Sequence, residues 1–250
     1  MPRVRLDTLL HERGLVDSRT RGRALILAGQ VRVNGHITTK AGTPVPTDAN
    51  VTLDTPDHPY VGRGGVKLAH ALDELGIDPT GVIALDIGAS IGGFTDVLLR
   101  RGTRQVVALD VGHGQLDWSL RRDPRVVVLE RVHMGTVTPD LLPADQREFD
   151  IITIDVSFIS IRYFIGRLPP LLRPAGDIIA LVKPQFEAGR DEIGRGGLVS
   201  DPDVHARVVT DVAAAGAEVG LTRVAMIPSP ITGARGNREF FLHLRHTPQS

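Results

Sequence analysis

The sequence predicts an α/β fold in which a mostly parallel sheet, covered by helices on both faces, follows a small α+β module. Two observations predict it. From residue 65 onward, near-continuous apolar runs alternate with helical patterns: VIALDIG, QVVALDV, RVVVLE, DIITIDVS, DIIALVKP, RVAMIPSP and EFFLHLR. Strands buried on both faces read this way, and their number gives a seven-stranded sheet. Before them, residues 1–58 carry two short helical patterns and a small hairpin, with a basic bias that the rest of the chain lacks.

In the first module, Leu6, Leu9 and Leu10 recur at helical spacing. Asp17 or Ser18 is placed to cap a second helix, whose Leu25 and Ile26 face inward before Gly29 ends it. VRVNGHITTKAGTPV then reads as a strand, an Asn-Gly turn and a second strand. Over residues 1–40, Arg3, Arg5, Arg13, Arg19, Arg21, Arg23, Arg32 and Lys40 face only Asp7, Glu12 and Asp17, although the 250-residue chain is neutral overall. Such a basic end is a footprint for a polyanion. The pattern RLDTLL, SRTRGRALILAGQVRVNG and VTLD resembles the RNA-binding module of ribosomal protein S-four. That resemblance implies phosphate contacts at Arg3, Arg5, Arg19, Arg21, Arg23 and Lys40, and a structural role for Asn34.

The stretch DTPDHPYVGRGGVK breaks both periodicities and reads as a hinge, giving a module over 1–58, a linker over 59–64 and a second domain over 65–250. A helix, VKLAHALDELG, opens that domain with Lys67 in its first turn. Spacing alone makes this lysine a solubilising charge. The short connection between the last two strands favours an antiparallel return.

Composition excludes several chemistries. There is no cysteine, so disulfides, thiolate zinc sites and a cysteine nucleophile are absent, in keeping with a reducing cytoplasm. No apolar stretch reaches the roughly 18 residues of a membrane span, and the basic MPRVRLDTLL offers no secretory core. The histidines lack metal-ligand spacing, so no metal is expected. A soluble cytoplasmic protein is the expectation.

In open α/β sheets, ligands sit beyond the carboxyl ends of the strands. Asp86, Asp110, Asp155 and Lys183 all fall at such ends, and Glu239 precedes the last strand. After the first strand, GASIGGF supplies small residues that admit a nucleotide to the backbone, and Asp110 ends the next strand where it can accept ribose hydroxyls. NAD sites and S-adenosylmethionine sites share this logic. The missing G-x-G-x-x-G order and the antiparallel last strand favour S-adenosylmethionine. The expected cofactor contacts are Asp86, Gly88, Ser90, Gly92, Gly93, Phe94, Asp110 and Val111.

Taken together, RVRLDTLL, VGRGGVKL, LDIGASIGGFTDVLL, DVGHGQL, IDVSFIS, LVKPQFEAG, GGLVSDP and SPITGARGNREFFLHLR resemble the TlyA (hemolysin A) family of ribosomal RNA 2′-O-methyltransferases. The resemblance implies a Rossmann-like class I methyltransferase domain of FtsJ type, S-adenosylmethionine as cofactor, ribosomal RNA or a ribosomal subunit as partner, and a cytidine ribose as acceptor. It implies a catalytic tetrad of Lys67, Asp155, Lys183 and Glu239, with Lys183 central and Asp155 and Glu239 tuning it. Phe158 matches a base-stacking phenylalanine, with a core role beside Ile159 as the other reading. The chain ends soon after its last strand, at HTPQS, which inclines the expectation toward the large subunit.

The chain departs from the family at Ile91, where a threonine is usual, and at His133 and Gly135, which replace an asparagine and an arginine. These departures leave room for two other functions: a small-molecule methyltransferase on the same scaffold, or a non-catalytic ribosome-binding factor. The basic module argues against the first, and the retained tetrad against the second.

Overall fold

In this computed structural model the described residues are 2–16, 18–53, 58–142 and 146–246. The expected cap at Asp17, the start of the hinge at 54–57 and the end of HTPQS from Thr247 lie outside them.

The first module runs β1 (Arg3–Arg5), α1 (Leu6–Glu12), α2 (Arg19–Leu27), β2 (Val31–Val33), β3 (His36–Ile37), β4 (Pro44–Pro46) and β5 (Val51–Leu53). Ser18 caps α2 by accepting a hydrogen bond from Arg21 N at 3.1 Å. The β2–β3 hairpin turns on Asn34 (φ 50°) and Gly35 (φ 81°), the positive pair that a tight two-residue turn requires. Asn34 is indeed structural: its Oδ1 accepts from Asn50 N at 3.0 Å, and its own N–H donates to Asn50 O. The β1–β4 pair was not legible in the sequence, because two three-residue strands, one with prolines at both ends, carry too little pattern. Leu6, Leu10, Ile26, Val31 and Val51 close a small core of their own.

The larger part continues with α3 (Gly64–Leu75), β6 (Ile83–Ile87), α4 (Gly93–Arg100), β7 (Gln105–Asp110), α5 (Trp118–Arg121), β8 (Val126–Glu130), β9 (Phe149–Ile154), β10 (Leu172–Val182), α6 (Pro184–Glu187), α7 (Pro202–Ala217), β11 (Leu221–Pro228) and β12 (Phe240–His246). Its seven-stranded sheet has the order β11-β12-β10-β9-β6-β7-β8. β12 pairs antiparallel with both neighbours, while β10–β9, β9–β6, β6–β7 and β7–β8 are parallel. Two hydrophobic layers cover the sheet. Along β6, Ile83, Leu85 and Ile87 enter one layer and Ala84 the other, the period-two alternation of a strand.

This order fixes the ligand site. The chain leaves β6 toward β7 on one side and finds β9 on the other, so a crevice opens where β6 and β9 end. Gly88 follows β6, and Asp155 follows β9 with its N–H on Ile87 O at 2.9 Å. The two meet across the switch point.

Candidate active site

Two chambers adjoin at that point and share Gly88, Ser90, Asp155 and Ser157 in their walls. The first, a cleft of about 300 Å³, is lined among others by Lys67, Lys183, Arg63, Thr232 and Gly233. Four charged side chains from four separate segments line or close it. Lys67, from α3, places Nζ 2.5 Å from Glu239 Oε2, with the side chains 11% and 2% exposed. Lys183, at the end of β10, places Nζ 2.6 Å from Asp155 Oδ1 and donates to Ser157 Oγ at 3.1 Å. Asp155 Oδ1 is an ion-pair contact without an aligned hydrogen bond, so a buried acceptor remains available. Charges this deep persist only in pairs.

Backbone geometry explains why glycine surrounds these pairs. A Cβ on Gly233 would crowd the Glu239 carboxylate, so glycine lets the SPITG loop pass without displacing that side chain from Lys67. Arg63 anchors the same loop by donating to Thr232 O at 3.1 Å.

The second chamber, about 540 Å³, lies over the ends of β6 and β7 and is lined by Gly88, Ser90, Leu109, Asp110, Val111, Gln115, His133, Met134 and the 155–159 loop. Gly88 sits at φ 83°, and a Cβ there would come within 2.5 Å of Asp155 O, so the strand ends can approach only with glycine. Asp110 accepts from Ser90 N at 2.8 Å and Gly112 N at 2.6 Å, which fixes its carboxylate at the rim and leaves lone pairs for ribose hydroxyls. This set fits a nucleoside cofactor: an apolar floor of Leu109 and Met134, an acid at a strand end and the close backbone approach at Gly88.

The expected cofactor residues do not all reach this chamber. Asp86 is fully buried and accepts from Thr95 Oγ1 at 2.6 Å and Thr153 Oγ1 at 3.0 Å, so it braces α4 and β9 to β6 and makes no contact with either cavity. Burial pushes its carboxyl up to about 7. Gly92 also turns away: it caps α4 at φ 99°, and a Cβ would collide with Leu120 at 2.2 Å. Gly93 and Phe94 border the first cleft instead of the second. Gly93 permits the close approach of α3, and Phe94 stacks on Phe241 with centroids 6.1 Å apart. Ile91 likewise borders the first cleft, and its Cδ1 is 2.4 Å from where a Cβ on Gly62 would stand. Its side chain packs on the linker, so the absence of a threonine hydroxyl there takes nothing from the nucleotide chamber.

Other expectations change too. Lys67 is 8% exposed and paired, so it is no solubilising charge. Glu239 contacts Lys67, not Lys183, whose Nζ meets Asp155 and Ser157 instead. Phe158 is 91% exposed at φ 67°, tilted against Phe186 with centroids 5.2 Å apart, which rules out the core role. A phenylalanine held in the left-handed region is costly and marks a loop that its surroundings over-determine. His133 uses Nδ1 to accept from Gly135 N at 3.0 Å and lines the nucleotide chamber.

On the small module, Arg3, Arg5, Arg19, Arg23 and Lys40 are exposed. Arg5 also chelates Asp7 at 3.0 and 2.7 Å, which pulls that carboxyl below its usual range. Arg21 is different: its Nη2 pairs with Asp117 Oδ2 at 2.8 Å, and the guanidinium is largely covered. It is spent within the molecule, so the phosphate contact expected of it is withdrawn.

Sequence reasoning missed several supporting residues. Glu187, at the end of α6, accepts from Ser160 Oγ at 2.5 Å and Ile161 N at 2.8 Å, clamping the loop that presents Phe158; burial pushes its carboxyl up. Its place four residues after Lys183 was the available signal. Glu130 binds Gly114 N at 2.8 Å, His113 and Arg121, holding the turn beside Asp110; burial alone would raise its carboxyl, but the Arg121 hydrogen bond and the others outweigh it. Among the described residues no His, Asp and Glu group could hold a metal, and no helix is long and apolar enough to cross a membrane.

The FtsJ-like methyltransferase family covers residues 60–246, and the S4 domain family covers residues 4–51. The Bacillus subtilis protein YqxC is 46% identical over 98% of this chain and 86% of its own length. The 16S/23S rRNA (cytidine-2′-O)-methyltransferase TlyA of Mycobacterium tuberculosis is 45% identical over 97% of this chain and 90% of its own. A solved structure from Streptococcus thermophilus superposes with a TM-score of 0.76 at 38% identity, over all of this chain and 90% of the other.

Proposed function

The chain belongs to the TlyA (hemolysin A) family of FtsJ-like methyltransferases, and from that premise we propose that it methylates the ribose 2′-hydroxyl of a cytidine in ribosomal RNA, using S-adenosylmethionine. The observation that carries this reading is the pairing of Lys183 with Asp155 at the junction of a nucleoside-shaped chamber and a charged cleft. S-adenosylmethionine supplies a methyl group already activated by its sulfonium charge. A ribose hydroxyl is a poor nucleophile at neutral pH, so the protein's share is to position it and manage its proton.

Asp110 would hold the cofactor's ribose hydroxyls, with Gly88, Ser90 and Val111 beside it in the chamber wall. Lys183 Nζ meets the acceptor hydroxyl and relays its proton to the Asp155 carboxylate, giving one proton to Asp155 and taking the hydroxyl's as the methyl group moves to that oxygen, while Ser157 helps to fix where Nζ points. Lys67, oriented by Glu239, keeps a positive charge beside the cleft, which favours negative charge developing on the acceptor oxygen. Phe158 offers an exposed ring on which the target base stacks. Arg3, Arg5, Arg19, Arg23 and Lys40 bind phosphates of the RNA.

The test is incubation with methyl-labelled S-adenosylmethionine and separated ribosomal subunits, followed by mapping of modified riboses. Label at a cytidine 2′-oxygen supports the reading. Label on a base or only on small molecules would reject it. Charge reversal at Arg19 and Arg23 should flatten the salt dependence of RNA binding, by a log-log slope of roughly 0.7 to 0.9 for each phosphate that is no longer neutralised.

A further inference from the structure

Of all the basic residues on α2, one faces inward. Arg21 reaches across to the catalytic domain and pairs with Asp117 at 2.8 Å, the two side chains 23% and 18% exposed. Its Nη1 is buried and has no hydrogen-bond partner among the described residues, a position no solvent-facing phosphate ligand would adopt. The neighbouring Arg19 and Arg23 remain exposed.

Asp117 is not an isolated surface acid. It caps α5, accepting from Ser119 N at 2.9 Å, and its own N–H donates to Ile91 O at 3.1 Å in the loop between the chambers. Ile91 in turn packs on Gly62 of the linker. One turn and a half beyond Arg21 on the same helix, Leu27 and the following Ala28 form part of the wall of the cleft that holds Lys67 and Lys183. Leu27 is 61% exposed, so its side chain is open to a molecule entering the cleft.

We propose that Arg21 and Asp117 are positioning residues: their ion pair clamps α2 so that its C-terminal end completes the acceptor cleft, with Leu27 as an apolar contact for the incoming nucleotide. The small module is then more than an RNA anchor. It supplies one wall of the site, and its docking is tied through Asp117 to Ile91 in the loop beside the nucleotide chamber. The kinetic consequences rest on the RNA methyltransferase reading; the docking itself does not.

The experiment uses the full chain with Arg21→Ala, Asp117→Asn, the double variant and Leu27→Ala. Asparagine retains the helix cap and removes only the charge. Amide hydrogen exchange without substrate reads the clamp directly. Each clamp variant should speed exchange in both 18–28 and 112–121, and the double variant should do no worse than either single one, as expected for partners in one interaction. In single-turnover methylation of ribosomal subunits at saturating RNA and cofactor, the rate should fall about tenfold to a hundredfold, the scale set by a small misplacement of reacting groups. RNA affinity should change little. Leu27→Ala should lower the rate without altering exchange in 112–121. The proposal is overturned if Asp117→Asn leaves exchange over 18–28 unchanged, or if Arg21→Ala weakens RNA binding while the saturated rate stays normal. Failure of the wild-type protein to methylate ribose would reject the functional reading while leaving the exchange result to decide the clamp.

Discussion

The two chambers are built in opposite ways. The nucleotide chamber is framed by main chain: strand ends, Gly88 at positive φ and one acid held by two backbone N–H groups, over an apolar floor. The acceptor cleft is made of side chains that arrive from α3 and from the ends or edges of β9, β10 and β12, and that become stable only by meeting each other. A backbone site is encoded locally, in one stretch such as LDIGASIGG. A side-chain site is encoded by the fold as a whole. The first should therefore fail by steric intrusion, and the second by stranding a charge.

The largest effect on folding should follow from stranding. Glu239→Ala leaves the Lys67 ammonium buried without a partner, and breaking such a pair costs about 3 to 5 kcal/mol. Denaturant unfolding should register that loss, and a Glu239→Ala, Lys67→Met double variant should recover most of it while turnover stays low. A loss under about 1 kcal/mol in the single variant would mean that the pair behaves as a surface ion pair.

In the nucleotide chamber, Asp110→Ala removes the acceptor for Ser90 N and for Gly112 N and, on the proposed reading, for the cofactor's ribose. Calorimetry should show S-adenosylmethionine affinity reduced by roughly tenfold or more, since each hydrogen bond to a charged group is worth about 1.5 to 3 kcal/mol. Gly88→Ala should act similarly through its 2.5 Å approach to Asp155 O. Binding that survives both changes would move the cofactor elsewhere and dissolve the contrast between the chambers.

The last effect concerns the brace beneath both sites and is read against pH. Burial raises the Asp86 carboxyl to about 7, above its ordinary 3.8. Its contribution to stability is therefore complete below about pH 4 and is lost as the pH rises through 7. Relative to Asp86→Asn, the wild-type protein should lose stability across that window by up to about 1.4 kcal/mol per pH unit. Parallel pH profiles for the two proteins would show that Asp86 is ionised in both states.

This difference in construction also explains what the sequence disclosed. The seven apolar runs, the antiparallel last strand and the Asn-Gly hairpin follow from local periodicity and turn chemistry, and each appears in the fold. The glycine loop disclosed the nucleotide chamber, but periodicity alone could not say which residues face it. Asp86 and Gly92 lie in the motif yet point into the packing of α4 and α5. The strand ends disclosed Asp155, Lys183 and Glu239 as one rim, but the choice of Lys67 and the pairing of these charges were legible only through resemblance. Nothing near Lys67 announces a carboxylate that lies 172 residues away, and nothing near Arg21 announces Asp117. Short strands such as β1 and β4 went unread because three residues carry no period.

The central claim is that Lys183, held by Asp155, manages the acceptor proton in a cleft distinct from the cofactor's chamber. It is tested most directly by single-turnover ribose methylation with the Lys183→Ala protein at saturating S-adenosylmethionine and RNA, with cofactor affinity measured on the same sample. The account predicts a rate about 10² to 10⁴-fold lower, the range of general acid–base contributions, with cofactor affinity unchanged. A near-normal rate, or a loss explained entirely by weaker cofactor binding, would contradict it.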